Sequence, residues 1–350
     1  MNSSNERPDV MTSRQRVMAV LNSEPPDRVP LNVFAGWNPG VRERVEKRYG
    51  SIDAFYEEFH IDIITGVLPR FTFGGPEEHA RIADLDRYLE LDPVDPTAPD
   101  ILQANGEEEL FLTVEEALEY QEQDYPVFAH VWGIFELSQF LFEKDGRPGT
   151  QEALMNMIAE REKSKQIYMK LAEWTAACAE NAIQAGVDVL QVSDDWGQQK
   201  TMLFSPEMWR EMIRPAFQVI LDTAHRYNVP VILHSDGDIT AILDDLADMG
   251  LQGLHPVQES AGMSHEVVRK KLGRDVCIMG GLDTVSAMPV MSPSEIREEV
   301  RNVFNRLKSS GPFIFAGTHM FQDDASLEVI AAAYEEAYAQ SHTPVRGDSV

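Results

Sequence analysis

The stretch "DVLQVSDDWGQQKTMLFSPEMWREMIRPAFQ", residues 188–218, followed by "VPVILHSDGD", residues 229–238, decides the fold. Val189, Leu190 and Val192 belong to an apolar run that stops on Ser193, Asp194 and Asp195. Val231, Ile232 and Leu233 repeat the pattern and stop on His234, Ser235 and Asp236. Short apolar runs with such abrupt ends read as buried strands. Between them, Ser205 as N-cap and Pro206 at the first helical position open a helix over 205–227. Strand, helix, strand in that order implies parallel pairing.

The same alternation extends in both directions. Strand-like runs lie at 31–36, 62–68, 127–133, 188–195, 229–236, 251–257, 275–283 and 312–319, and helical stretches at 151–185, 205–227, 238–249, 263–272, 292–309 and 325–340. Eight such units predict an α/β fold, a closed (β/α)8 TIM barrel, as a single domain over 12–342. The segment 72–124 breaks the rhythm with "GGPEE", "LDPVDPTAPD" and "NGEEEL", and is expected to form an irregular cap insertion after the second strand, over the barrel mouth. Residues 1–11 are expected to be disordered and 343–350 to form a C-terminal tail.

Composition excludes several classes of function. The net charge is −28, from 58 acidic and 30 basic residues, which repels nucleic acid and anionic membrane. No apolar run approaches the roughly 20 residues of a membrane span, and the polar start "MNSSNERPDV" has no secretory apolar centre. Two cysteines, Cys178 and Cys277, make no disulfide framework. A cytoplasmic enzyme is the expectation.

In a barrel of this kind the chemistry sits at the C-terminal strand ends. Those ends carry His130 and Trp132, then Asp194, Asp195 and Trp196, then His234 and Asp236, then His255, Asp283 and His319. On a strand, residues i and i+2 share a face, so His234 and Asp236 point into the same space. Two imidazoles and a carboxylate (His234, Asp236, His319) suit a divalent metal, zinc being the natural candidate. The same groups also suit metal-free acid–base work. Bland roles compete: His255 and His130 as satisfied core histidines, Asp194 and Asp195 as caps of the following turn.

With these stretches in view the chain resembles the uroporphyrinogen decarboxylase superfamily, which includes corrinoid-dependent methyltransferases. The resemblance rests on "SRQRVMAVLNSEPPDRVPLNVF", on the 188–218 stretch, on "VPVILHSDGDI", on "VCIMGGLDT" and on "FIFAGTHMFQDDASLEVI". It implies a (β/α)8 barrel. True decarboxylases carry an arginine-rich turn after the first strand, whereas this chain reads "FAGWNPG" at 34–40. Thiol-directed methyltransferases of the superfamily hold zinc through a His-x-Cys pair and a later cysteine. Here those places read His234-Ser235-Asp236 and Thr318-His319. O-demethylating members are similar in lacking these cysteines, and their acidic-x14-Glu-x20-His pattern fits Asp283, Glu298 and His319.

The resemblance therefore implies a methyltransferase of the methyltransferase/O-demethylase branch. It would move a methyl group between a small methoxylated or methylated substrate and a corrinoid carried on a partner protein. Zinc on His234, Asp236 and His319 would assist, with Asp283 and Glu298 as a lesser metal-binding set. Asp194, Asp195 and His319 are the catalytic candidates; Trp37, His130, Trp132, Trp196 and His255 are candidates for substrate contact. The competing expectation is a carboxy-lyase acting on a smaller acid without metal. A homodimer is expected, with neither nucleic acid nor membrane as partner.

Overall fold

The computed structural model describes residues 9–34, 36–74, 84–143 and 147–342. The expected terminal tails at 1–8 and 343–350, and the part of the 72–124 segment at 75–83, lie outside the described residues. The fold is α/β and barrel-like. Its strands are β1 (Leu31–Asn32), β2 (Ile64–Val67), β3 (Leu112–Thr113), β4 (Val127–Trp132), β5 (Val189–Ser193), β6 (Val231–His234), β7 (Gly253–His255), β8 (Cys277–Leu282) and β9 (Phe313–Gly317). Eight of these fall in the eight runs legible in the sequence. The additional strand, β3, is two residues long and follows the acidic "NGEEEL", so it carries no readable period.

The chain folds as two compact units. One contains residues 1–64, 120–126 and 252–350. In it β1 pairs with β9, β9 with β8 and β8 with β7, all parallel. Its base is tied by a buried ion network. The Asp62 carboxylate, 0% exposed, accepts from Arg16 Nη1 and Arg28 Nη1, each at 2.7 Å, and from the Leu31 N–H at 2.8 Å. The first helix, Ser13–Leu21, carries Arg16 and begins with a capping box between Thr12 and Gln15.

The other unit contains residues 65–119 and 127–251. Its strands run in the order β3-β2-β4-β5-β6. The registers fix which side chains share a face: His130 pairs with Gln191 and Gln191 with Ile232, and Trp132 pairs with Ser193 and Ser193 with His234. All of β5 and β6 is buried, as expected for strands covered on both sides. The helical stretch expected at 151–185 is two helices, Thr150–Ala159 and Arg161–Ala185, separated at Glu160. The stretch at 205–227 keeps its start at Ser205 but passes through a π-turn at Trp209–Ile213 before Arg214–Arg226. Within 84–124 the irregular expectation holds only in part, because short helices at Leu85–Glu90 and Val114–Leu118 accompany β3.

Candidate metal and substrate site

Two loops build the site, one after β5 and one after β6. They meet backbone to backbone, which two glycines permit. A Cβ on Gly197 would lie 2.5 Å from the Asp236 carbonyl oxygen, and one on Gly237 would lie 2.5 Å from the Gln198 nitrogen. Gly237 also has φ +77°, a left-handed conformation that other residues rarely adopt. The contact is sealed by hydrogen bonds. The Asp238 N–H donates to the Gln198 carbonyl at 2.8 Å, the Trp196 N–H to Ser235 Oγ at 3.0 Å, and the Asp236 N–H to Asp195 Oδ1 at 2.7 Å.

This geometry gathers Asp195, His234 and Asp236, each offering a ligand atom within 4.8 Å of the others. Among the described residues no other group of three histidine, cysteine, aspartate or glutamate side chains does so. His234 Nε2 lies 3.7 Å from Asp195 Oδ1. Asp236 Oδ1 is buried and has no hydrogen-bond partner among the described residues. Burial raises the Asp236 pKa, and the charge of Asp195 raises it further. A third acid adjoins them. Burial pushes Glu136 well above the usual carboxylate range, and the charges of Asp195 and Asp194 add to the effect. Crowded, desolvated carboxylates of this kind are costly unless a cation or a proton compensates them.

The donors fit a divalent ion. One imidazole nitrogen and carboxylate oxygens are ordinary zinc ligands, and the unpartnered Asp236 oxygen gives such an ion a reason to be there. Both cysteines are buried and elsewhere. The set is therefore harder than a thiolate site.

The expected residues divide by position. His234 and Asp236 come together as expected, with Asp195 as the third group. His319 lies in the other unit, half-buried, its Nδ1 3.5 Å from Gln322 Nε2 and its N–H donating to Thr284 Oγ1 at 3.0 Å. Asp283 sits in a turn, where its Oδ1 accepts from the Val285 and Ser286 N–H groups. Glu298 is exposed on the helix Pro293–Leu307. Asp194 is 0% exposed, and both its oxygens are occupied. Oδ2 accepts from Ile134 N–H at 3.0 Å and Oδ1 from Glu136 N–H at 2.8 Å, capping the helix Ile134–Leu141. Burial raises its pKa to about 7 despite those bonds.

Of the aromatic and imidazole candidates, three are held by the protein itself. Trp37 donates to Tyr56 Oη at 3.1 Å; Trp196 packs on Trp209 and Phe217; and His255 donates from Nε2 to the Gly317 carbonyl at 2.8 Å while stacking on Phe34. His130 and Trp132 lie on the same face of the sheet as His234. Glu136 escaped the sequence reading. Its one signal is an acid in "WGIFELSQFL", an otherwise apolar helix start.

Comparison with known proteins gives the architecture a family. The profile of the uroporphyrinogen decarboxylase (URO-D) family matches residues 74–339. The chain belongs to the uroporphyrinogen decarboxylase family. A uroporphyrinogen decarboxylase of Magnetococcus marinus is 25% identical over 317 residues, covering 85% of this chain and 82% of the relative. A methylcobamide:CoM methyltransferase, MtaA, of Methanosarcina barkeri is 30% identical over 113 residues, covering 32% of this chain and 31% of that protein. Among solved structures, a methyltransferase from Methanosarcina mazei shares the fold, with a TM-score of 0.68 at 19% identity over 93% of this chain and 98% of the other. The family therefore reaches this chain through relatives of both names, decarboxylase and methyltransferase. No helix among the described residues is long and apolar enough to cross a membrane.

Proposed function

We propose that this member of the family is a metal-assisted methyltransferase. It would move a methyl group between a small methoxylated or methylated compound and a corrinoid carried by a partner protein. The observation that carries the reading is the Asp195–His234–Asp236 cluster with its unpartnered Asp236 oxygen. A zinc ion held there would act as a Lewis acid toward the heteroatom that bears the methyl group. Asp195 fixes the Asp236 backbone through its N–H, so the three donors are held by the protein before any ion arrives. Trp132 and His130, on the face shared with His234, would contact the rest of the substrate. The MtaA relative, named for methyl transfer from methylcobamide, supports a corrinoid partner.

The region after the first strand supports the same reading. Arg42 and Arg44, the guanidinium groups nearest in sequence to "FAGWNPG", are engaged elsewhere: Arg42 pairs with Glu46 at 2.9 Å on an exposed helix face, and Arg44 donates to the Gly40 and Asp323 carbonyls. A substrate with many carboxylates finds no clamp in them.

Two measurements test the proposal. Equilibrium dialysis should give about one zinc per chain, lost in His234→Ala and retained in His319→Ala, with the circular dichroism of both variants unchanged. Mixing the protein with a reduced corrinoid protein and methoxylated aromatics should change the cobalt spectrum. Well under one zinc per chain and no cobalt methylation with any donor would reject it. The decarboxylase relative, matched over most of both chains, favours a second reading, a carboxy-lyase acting on a smaller acid. Activity toward such an acid that survives chelators would select it.

A further inference from the structure

Below the acid cluster, the sheet face that carries His234 holds a group of buried polar atoms with no partner among the described residues. Register places Trp132, Ser193 and His234 in one row, and His130 with Gln191 in the row beneath. The rows are two residues apart along the strands, a spacing of about 6.6 Å. His130 is 4% exposed, Gln191 0% and Ser193 4%. Gln191 Nε2 lies 3.1 Å from His130 Nδ1. If the amide donates there, the ring carries its proton on Nε2. Neither His130 Nε2, Gln191 Oε1, Ser193 Oγ nor Trp132 Nε1 has a partner among the described residues.

A buried donor or acceptor left unmade costs about 1–3 kcal/mol, so native proteins rarely leave several side by side. Here they share one face with the proposed metal ligand, and they combine. The His130 Nε2–H and Trp132 Nε1–H can only donate, Gln191 Oε1 can only accept, and Ser193 Oγ can do either. None is charged: burial lowers the His130 pKa to about 4, so the ring is neutral near pH 7. None of the four is cationic, so an anionic ligand group buried among them would have no counter-charge.

We infer that His130, Trp132, Gln191 and Ser193 form a subsite for a neutral hydroxyl or carbonyl group at the end of the substrate remote from its methyl. The inference rests on the methyl-transfer reading for its orientation. With the remote oxygen held in the lower row, the methyl-bearing end lies toward the C-terminal strand ends and the Asp195–His234–Asp236 cluster. The substrate class is thus narrowed to uncharged methoxy compounds with a second oxygen, such as hydroxylated methoxyarenes. An unsubstituted methoxyarene leaves the buried polar atoms unpaired, and an arene carboxylate would bury a charge with no cation to meet it.

The test is direct binding to the full chain, with three probes: 4-methoxyphenol, methoxybenzene and 4-methoxybenzoate. Wild type should bind 4-methoxyphenol about tenfold or more tightly than either of the others, the loss expected when buried polar groups go unmatched. In Gln191→Met that preference over methoxybenzene should shrink to about twofold or less. Ser193→Ala, which deletes an oxygen that has no partner among the described residues, should weaken 4-methoxyphenol binding without lowering the melting temperature, and serves if Gln191→Met does not fold. Equal affinity for 4-methoxyphenol and methoxybenzene, an unchanged preference in both variants, or no binding of any probe overturns the inference. Zinc content and cobalt methylation are read separately. A chain that shows the preference and its collapse, yet holds no zinc or methylates no corrinoid, keeps the subsite and loses the functional reading.

Discussion

Asp194→Asn separates a structural acid from a chemical one. Asp194 is 0% exposed, and each of its oxygens accepts one N–H from the first turn of the helix Ile134–Leu141, at 3.0 Å and 2.8 Å. That helix has no cap of its own, since Gly133 stands at the N-cap position without a side chain. Gly133 is itself held close, because a Cβ there would lie 2.2 Å from Asp194 Cβ. Asparagine offers one oxygen and one amide nitrogen, so one helix N–H keeps its acceptor and the other faces a donor. The lost capping bond is worth about 1 kcal/mol and the stranded buried N–H about 1–3 kcal/mol, so a loss of about 2–4 kcal/mol is expected. Urea unfolding should show a lower midpoint at unchanged slope. Zinc affinity, measured on the folded variant, should fall little, because Asp194 contributes no ligand atom to the cluster. If Asp194→Asn keeps wild-type stability to within about 0.5 kcal/mol while methyl transfer disappears, the capping argument is wrong and the residue belongs to the chemistry.

The other expectations probe the frame and the loops. Gly237→Ala puts a Cβ 2.5 Å from the Gln198 nitrogen at φ +77°, and should cost about 2 kcal/mol or more and weaken zinc binding by parting the two loops, as calorimetry would show. Arg16→Met breaks a buried network with Asp27 and Asp62 and should cost about 3–5 kcal/mol in denaturant unfolding. Acid should act on the same network. Burial alone would raise the Asp27 pKa, but hydrogen bonds from Arg16 and from the Met11 and Val10 N–H groups hold it well below the usual carboxylate range. A depressed folded pKa gives stability that is full above the unfolded value of 3.8 and is lost as the pH falls through the folded one; Asp27→Asn should flatten that part of the acid-unfolding curve. Uroporphyrinogen should not be turned over, because Arg42 and Arg44 are committed elsewhere; coproporphyrinogen formed at an enzymatic rate would contradict this.

Much of the fold was legible because buried parallel strands announce themselves. "VLQVS" and "VILH" are apolar runs closed by polar residues, and every residue of both is buried. Ser205 marks a helix start through a side-chain oxygen that the following N–H groups require, and it accepts such a bond from Met208. What escaped has no period to read. β3 is two residues long, and the break at Glu160 is a backbone deviation that helix-forming residues on either side conceal. Composition could not announce either one.

The site shows a different limit, which lies between neighbours in sequence and neighbours in space. His234 and Asp236 were readable as a pair because strand alternation alone puts them on one side. Asp194 and Asp195 looked equivalent, two acids in a row at a strand end, yet adjacent residues leave a strand toward opposite sides. That difference sends Asp194 into the first turn of the helix Ile134–Leu141 and Asp195 toward His234 and the Asp236 N–H. Gly197 and Gly237, whose missing side chains let the loops touch, then bring the Asp236 N–H within reach of Asp195. Glu136 reaches the same acids from a helix, where only the oddity of a carboxylate among apolar residues hints at it. Chemistry that depends on one strand is therefore visible in a sequence, and chemistry that depends on how closely two loops approach is visible only through the glycines that allow it.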